Sequence, residues 1–250
     1  MTRSLCLNAD LGELPGDEGR ALDAAMLGIV TRCNIACGGH AGDAETMRQT
    51  VSHAQAHGVQ IGAHPSYPDL ANFGRKSLRM EPPALAASLD AQTHLLLEIA
   101  ADQGAEVVHL KPHGALYNDA AKDAGLANLI AGVTVRAGLA ELIGPPNSEL
   151  EKAAHASGLR FLAEGFADRS YEPDGALTPR SMDGAVIEDT ALVLAQALAF
   201  VREGKVAVRG GGQIALQIQT LCLHSDTPGA AEHARAIRAG LEHAGIEVCA

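Results

Sequence analysis

Val59-Gln60-Ile61-Gly62-Ala63, followed at once by His64-Pro65, shows in its simplest form the pattern that decides the fold. A short apolar run, often β-branched, ends in a polar motif and is followed by a helical stretch. This order recurs along the chain, and it predicts a parallel sheet whose strands are joined by helical crossovers. The predicted strands are 4–9, 29–36, 59–63, 106–110, 139–143, 159–163 and 219–223. The predicted helices are 43–57, 82–103, 119–137, 148–157, 187–203 and 229–244.

Seven such units with no linker between them favour a single domain over residues 1–250. Seven strand–helix units in one domain favour a closed or nearly closed parallel βα barrel over an open sheet. The segment 205–218 departs from the pattern, because two short apolar runs flank three glycines there. It predicts a small β-hairpin inserted before the last strand.

Polar motifs follow the predicted strands, whereas the loops before the strands are plain turns. In a parallel βα fold, the loops after the strands converge on one mouth, where ligands bind. We therefore expect ionisable side chains from six units to face one cavity. They are Asp10, Glu13, His40, His64, Lys111, His113, Glu164, Asp168, Arg169 and His224. Folding alone does not explain such a set, because clustered charge costs stability.

Simpler interpretations apply to other residues of these loops. Asp43 is expected first of all to cap a helix, although it is also a candidate for ligand contact. Tyr67 and Tyr117 are expected either to pack with a hydrogen-bonded hydroxyl or to contact a ligand. Cys37 and Cys222 are interpreted as small buried residues rather than as nucleophiles.

The residue types at the predicted mouth favour proton transfer and the activation of water, which carboxylates and imidazoles perform. Lys111, Arg169 and Arg180 are suited to neutralising a phosphate or a developing oxyanion. Neither a P-loop nor a Rossmann glycine signature is present. A G-x-S-x-G elbow is also absent, which disfavours a serine hydrolase.

A metal site is a further hypothesis for the same residues. Asp10, His40 and His64 are candidates for an open carboxylate–histidine–histidine site. The competing interpretation is a metal-free hydrogen-bonded cluster. The lack of a local ligand spacing such as HExxH favours this second interpretation.

Composition and charge argue against several partners and locations. The chain has 30 acidic residues against 19 Lys+Arg, a formal net charge of −11, so we expect neither nucleic acid nor an anionic membrane as partner. No segment has the roughly 20 apolar residues of a membrane span, and the start lacks the apolar stretch of a signal peptide. Five cysteines without zinc-type pairing are typical of free thiols in a reducing cytoplasm.

Four motifs carry a resemblance to a known family. They are Asn8–Glu13 (NADLGE), Asn34–Asp43 (NIACGGHAGD), Lys111–Tyr117 (KPHGALY) and Glu164–Arg169 (EGFADR). Together they resemble the family of 5-oxoprolinase A subunits, also called LamB/YcsF proteins, over essentially the whole chain. His64–Asp69 (HPSYPD), Leu177–Ser181 (LTPRS) and Cys222–Pro228 (CLHSDTP) fit the same family. The sequence departs from it at Ser66 and Ser225, where glycine is expected, and at Cys6, where aspartate is expected.

The resemblance implies a seven-stranded βα barrel of the glycoside hydrolase/deacetylase type. It also implies ATP-dependent hydrolysis of 5-oxo-L-proline to L-glutamate, with 5-oxoprolinase subunits B and C as partners. A five-membered lactam is a poor electrophile, and transfer of phosphate from ATP to its oxygen would make it reactive. The lack of a nucleotide motif leaves open whether ATP binds this chain or a partner.

The resemblance further implies which residues belong to the site. The predicted catalytic residues are Asp10, Glu13, His40, Lys111, His113 and Glu164. The predicted contacts to substrate or ATP are Asn8, Asn34, Asp43, His64, Tyr67, Tyr117, Asp168, Arg169, Arg180 and His224. As a hypothesis, Lys111 and Arg169 hold phosphate or the lactam oxygen. Water is activated by Asp10, Glu13 or Glu164. The imidazoles of His40, His64 and His113 move protons or bind a divalent cation.

Two other functions stay open at this point. One is a metal-dependent amide hydrolase or deacetylase on the same barrel that needs no ATP. The other is a non-catalytic subunit that only binds substrate or organises its partners.

Overall fold

The computed structural model describes residues 3–223 and 229–250. Its strands are β1 (Arg3–Leu11), β2 (Arg32–Ala36), β3 (Gln60–His64), β4 (Val107–Leu110), β5 (Glu141–Gly144), β6 (Arg160–Phe166), β7 (Lys205–Ala207), β8 (Gln213–Ala215), β9 (Thr220–Cys222) and β10 (Ile246–Val248). Strands β1 to β6 and β9 pair in parallel in that order, and β9 pairs back with β1. The predicted seven-stranded parallel barrel is therefore confirmed. Strands β7 and β8 form the predicted antiparallel hairpin.

Helices join the barrel strands and cover the outside of the barrel. They are α1 (Gly16–Leu27), α2 (Ala44–His57), α3 (Pro82–Asp102), α4 (Gly114–Ala120), α5 (Ala124–Arg136), α6 (Glu149–Ala156), α7 (Thr190–Glu203) and α8 (Ala230–His243). In the part of the chain that the structure describes, no helix has the length and apolar character needed to cross a bilayer. The prediction of one domain over 1–250 stays a prediction.

The structure differs from the predicted elements in three places. Helix α1 was not predicted, because Pro15 precedes it without a capping side chain and two glycines interrupt its first turns. The predicted helix 119–137 is two helices, α4 and α5, and the Asp123 side chain caps the second of them. Strand β10 was also missed. It is only three residues long and pairs with the first residues of β1, before β1 reaches β9.

Alternating side chains of β1 separate an apolar outer layer from a polar barrel interior. Leu7, Ala9 and Leu11 belong to the apolar core, while Asn8 and Asp10 make polar contacts with other strands. This is the period of two that a strand imposes on its side chains. The interior of the barrel is consequently lined with hydrogen-bonding groups that position one another.

A buried ion pair crosses the lower part of the interior. The Arg32 guanidinium of β2 lies 2.5 Å from Glu141 Oε2 of β5, and Arg160 lies 2.6 Å from Glu141 Oε1. Buried charges are tolerated only when they are paired in this way. The carboxylate of Glu141 thus joins strands from different sides of the barrel.

Gly62 makes room for the His109 side chain above that ion pair. A Cβ atom at position 62 would lie 2.0 Å from His109 Nε2, and the register between β3 and β4 shifts at this point. His109 Nε2 donates a hydrogen bond of 2.8 Å to Asn34 Oδ1. A residue without a side chain on β3 therefore allows His109 to reach Asn34 across the interior.

We expect Gly62→Ala to lower the free energy of unfolding by about 1–3 kcal/mol, the usual cost of overpacking a core. The cause is the displacement of His109 from Asn34. Urea unfolding followed by far-ultraviolet circular dichroism measures the effect. Gly28→Ala is the matched control, because its nearest added contact is an ordinary 3.5 Å. Equal stability of the two variants would contradict this role of Gly62.

Candidate active site

The barrel opens at the carboxyl ends of its strands into a cavity of about 560 Å³. The predicted site residues that line it are Asp10, Glu13, His64, Lys111, His113, Tyr117, Glu164, Arg169 and Arg180. Asn8, Asn34 and His40 lie behind this lining and contact residues that belong to it. One cavity therefore gathers side chains from β1, β3, β6 and the segments that follow β1, β4 and β6.

Three predicted residues stand apart from the lining, and a fourth, His224, is not described. Asp43 is exposed and accepts a hydrogen bond from Thr46 N, as expected of the cap of α2. The buried Tyr67 donates its hydroxyl to Asp119 Oδ2 at 3.0 Å. Asp168 is half-buried outside the cavity lining, and His224 lies outside the described residues. Ligand contact by these four stays a prediction.

Lys111 forms the floor of the cavity and is almost completely buried. Its ammonium lies 2.9 Å from Asp10 Oδ1, 2.8 Å from Glu164 Oε1 and 3.3 Å from Asn8 Oδ1. The sulfur of Cys222 is also 3.2 Å away. Three N–H groups thus meet four acceptors of the chain itself. In this arrangement, Lys111 positions the carboxylates of Asp10 and Glu164.

Charge keeps this group ionised despite its burial. Burial acts to lower the pKa of Lys111, but the negative charges of Asp10 and Glu164 outweigh it and hold that pKa well above its usual value. Burial likewise acts to raise the pKa of Asp10. The interactions of Asp10 with His64 and Lys111 outweigh this effect of burial and keep the pKa of Asp10 well below its usual value. Asp10 is therefore a carboxylate at neutral pH.

Amide side chains orient the two carboxylates from below. Asn34 Nδ2 donates to Asn8 Oδ1 and to Asp10 Oδ1, both at 2.8 Å. Asn8 Nδ2 donates to Glu164 Oε1 at 3.0 Å and to Thr220 Oγ1 at 2.8 Å. Together with the His109–Asn34 bond, these contacts form one continuous network from the barrel interior to the cavity floor.

A second cluster consists of Glu13, His40, His64 and His113, and it lies beside Asp10. One ligand atom from each of the four residues lies within 4.8 Å of the others, so the group could hold a metal ion. Glu13 Oε1 is 2.9 Å from His40 Nε2 and 3.1 Å from His113 Nδ1. His64 Nε2 is 3.4 Å from Asp10 Oδ2, which joins this cluster to the Lys111 network.

Backbone carbonyls fix the outer nitrogens of two of these histidines. His64 Nδ1 donates to Lys111 O at 2.7 Å, and His113 Nε2 donates to Phe73 O at 3.0 Å. In the neutral rings, the inner nitrogens His64 Nε2 and His113 Nδ1 then carry lone pairs. These two nitrogens lie only 3.0 Å apart and next to the Glu13 carboxylate. Such a convergence of lone pairs attracts a cation, and the outer bond to a carbonyl is the usual support of a metal-binding histidine.

Burial and the contacts within the cluster favour its deprotonated groups. Burial lowers the pKa of His40 to about 4, against the opposing hydrogen bond to Glu13, and it also lowers the pKa of His113. Burial acts to raise the pKa of Glu13, but the neighbouring rings of His113 and His40 outweigh it and lower that pKa. The imidazoles of His40 and His113 are therefore neutral, and the carboxylate is ionised at neutral pH.

The outer part of the cavity carries positive charge. Arg75, Lys122 and Arg180 are exposed and line it, whereas the acids of the lining belong to the two inner clusters. The buried Arg169 contacts the backbone of a neighbouring loop. Its Nε donates to Ala185 O at 3.2 Å and its Nη2 to Thr178 O at 2.6 Å, so it fastens the loop 170–186 over the cavity.

Sequence reasoning missed His109, Thr220, Arg75 and Lys122 as parts of the site. His109 precedes Lys111 by two residues, so the period of a strand would have placed both on one face. Thr220, Arg75 and Lys122 carry no comparable signal, because their positions depend on how distant loops and strands meet. The metal hypothesis named Asp10, His40 and His64. The group of potential ligands in the structure contains His40 and His64 together with Glu13 and His113. Asp10 lies beside this group, with its Oδ2 3.4 Å from His64 Nε2.

Comparison with known proteins gives a consistent result. A family model described as the LamB/YcsF family matches residues 5–250. A protein of Methylococcus capsulatus that is named as the A subunit of 5-oxoprolinase is 48% identical over 252 residues, covering 100% of this chain and 96% of that protein. The protein of the same name from Bordetella pertussis is 48% identical and covers 99% of both chains. The crystal structure of a lactam utilization protein from Thermus thermophilus has 39% identity and a TM-score of 0.89, with 99% of both chains covered.

We expect Lys111→Met to lower the free energy of unfolding by about 3–5 kcal/mol, because two buried carboxylates lose their shared cation. Adding Asp10→Asn and Glu164→Gln to the same chain removes those charges and restores part of the loss. Denaturant unfolding measures both the loss of stability and its partial restoration. Arg136→Met is the control, since Arg136 pairs with Asp90 on the surface and is worth about 1 kcal/mol or less. A Lys111→Met variant as stable as this control would contradict the assigned role.

Proposed function

This chain belongs to the LamB/YcsF family, and from that premise we propose that it is the A subunit of a 5-oxoprolinase. The reaction is the hydrolysis of 5-oxo-L-proline to L-glutamate, coupled to hydrolysis of ATP to ADP and phosphate. Subunits B and C are the proposed partners, in line with the name of the relatives as one subunit of several. The proposed location is the cytoplasm, where the five cysteines remain thiols.

The observation that carries the proposal is the ionised Asp10 on the floor of the cavity. Lys111 and Asn34 hold its Oδ1, and its Oδ2 lies on the side of His64. A carboxylate fixed in this way is suited to accept a proton from an attacking water molecule. Water then adds to C5 of the lactam, the C5–N bond breaks, and the ring nitrogen takes up a proton.

The outer cations of the cavity support the coupling to ATP. A lactam resists attack by water, and a phosphoryl group on its oxygen would turn that oxygen into a leaving group. Arg75, Lys122 and Arg180 offer positive charge to such a phosphate, on a chain whose net charge is −11. Water adds to C5 of the phosphorylated lactam and the C5–N bond breaks, which leaves an acyl phosphate on the side chain of glutamate. A second water hydrolyses this acyl phosphate, so that glutamate and phosphate are released in equal amounts.

We expect Asp10→Asn to reduce glutamate release from 5-oxoproline by about 100-fold or more, the usual contribution of a general base. The asparagine keeps an oxygen for Lys111 and Asn34, so the fold is retained. Glutamate and ADP are measured with this chain alone and then with its partner subunits. Asp90→Asn is the control, because Asp90 pairs with Arg136 on the surface and does not line the cavity. Unchanged turnover of the Asp10→Asn complex would contradict the assignment of Asp10 as the base, and unchanged turnover of both Asp10→Asn and Lys111→Met would favour a non-catalytic subunit.

A second candidate function is metal-dependent hydrolysis of an amide without ATP. The cluster of Glu13, His40, His64 and His113 favours it, because the donor set of imidazole and carboxylate suits zinc and similar ions. A bound divalent ion would supply a Lewis acid that polarises a carbonyl group and acidifies water. The residues fit such an ion, since His64 and His113 already direct lone pairs at one point.

We expect the metal-stripped chain to bind one Co²⁺ per molecule, with the visible absorption of a histidine-bound ion. His113→Gln removes one ligand and weakens binding by more than about 10–100-fold, the usual loss when only a residue that supports a ligand is changed. His94→Gln is the control, because His94 is exposed on α3. Absence of binding, or equal binding by His113→Gln, would refute the metal site. Glutamate formation that needs the ion but not ATP would favour the second function over the first.

A further inference from the structure

Two buried polar groups on the cavity wall have no hydrogen-bond partner among the described residues. They are the hydroxyl of Tyr117 and Oε2 of Glu164. The two residues are 5% and 1% exposed, respectively, and both line the cavity of about 560 Å³. A buried polar group without a partner is costly, so such groups call for an explanation. A ligand in the cavity is the explanation that their position suggests.

The Glu164 side chain is held so that only one oxygen remains for a ligand. Its Oε1 accepts hydrogen bonds from Lys111 at 2.8 Å and from Asn8 at 3.0 Å. Because these bonds fix the carboxylate, Oε2 has a defined direction. Glu164 lies on β6, one of the rigid barrel strands, and so its position does not depend on a loop.

The Tyr117 hydroxyl lies beside this carboxylate and is a hydrogen-bond donor. Tyr117 lies on α4, and its ring packs edge-to-face against Phe166 with centroids 6.0 Å apart. Burial raises the pKa of Tyr117 well above its usual value, and the charge of Glu164 and the closeness of its carboxylate to the hydroxyl act in the same direction. The hydroxyl therefore keeps its proton at all ordinary pH values. An acceptor and a donor thus stand next to each other at one wall.

We propose that Glu164 Oε2 and the Tyr117 hydroxyl together recognise the N–H and C=O edge of a cis amide, the group that a lactam ring presents. A small ring forces its amide into the cis form, so that the N–H and the C=O point to the same side. Glu164 accepts a hydrogen bond from the N–H, and Tyr117 donates one to the C=O. The inference rests on the proposed function, because it takes a lactam to be the ligand.

This pairing selects against related molecules. An open-chain trans amide presents its N–H and C=O on opposite sides and cannot engage both groups at once. The product glutamate has no amide edge, so we expect it to bind more weakly than the lactam. A lactone places a ring oxygen, which only accepts, against the Glu164 carboxylate. The structure thereby gives Glu164 a role in recognition, beside the predicted role in activating water.

The test compares binding of 5-oxoproline with binding of the matching lactone, 5-oxotetrahydrofuran-2-carboxylate. Calorimetry is performed with the full chain and with the chain assembled with its partner subunits. We expect the unmodified protein to prefer the lactam by at least about tenfold, since the lactone leaves a buried acceptor facing another acceptor. Tyr117→Phe should weaken both ligands about five- to thirtyfold, because both carry the C=O.

Glu164→Gln is the decisive variant. Lys111 and Asn8 continue to hold the side-chain oxygen of the glutamine, so its NH₂ group takes the place of Oε2. That group donates to the ring oxygen of the lactone and opposes the N–H of the lactam. We therefore expect the preference for the lactam to disappear or to reverse. Damage to the fold alone would weaken both ligands without changing their ratio.

Tyr171→Phe is the matched control. Tyr171 also lines the cavity, but its hydroxyl accepts a hydrogen bond from Phe166 N at 2.8 Å. Its loss should leave the ratio of the two affinities unchanged. Equal affinity of the unmodified protein for lactam and lactone, or an unchanged ratio in Glu164→Gln, would overturn the inference even if glutamate is formed. Failure of the complete complex to bind 5-oxoproline or to form glutamate would instead refute the proposed function.

Discussion

The contact between the buried Lys111 ammonium and the carboxylates of Asp10 and Glu164 is the constraint on which the site depends. Removing three charges from water is expensive, and their attraction compensates for that cost only when the geometry is good. The amides of Asn8 and Asn34 provide this geometry by directing both carboxylates toward the ammonium. As a result, Asp10 stays ionised at the floor of the cavity, where an unpaired buried carboxylate would tend to become neutral.

The same contact joins the two halves of the site. Asp10 lies between Lys111 on one side and His64 on the other, so the position of the ion network also sets the position of the histidine cluster. His64 is tied in turn to the backbone of Lys111 through its Nδ1. A change at Lys111 therefore affects the proton acceptor and the candidate ligand sphere together. This coupling explains why residues scattered from β1 to β6 behave as one chemical unit.

The sequence was sufficient for the barrel because apolar runs and polar motifs alternate regularly, and because loops after parallel strands meet at one mouth. The elements that it missed lack local signals. Helix α1 has no capping side chain, and β10 exists only because β1 extends beyond β9. Site membership followed from the position of a residue after a strand. The sequence did not predict which site residues contact each other, because the contact of Glu13 with His40 and His113 depends on how three separate loops pack.

Lys111 also determines what the cavity can recognise. By occupying one oxygen of Glu164, it leaves the other directed at the ligand, next to the Tyr117 hydroxyl. By keeping Asp10 ionised, it retains a base at the same floor. Positive charge from Arg75, Lys122 and Arg180 lies farther out in the same cavity. The groups proposed to bind the lactam, the proposed base and the cations therefore all line one cavity, and this shared position links recognition to activation and attack by water.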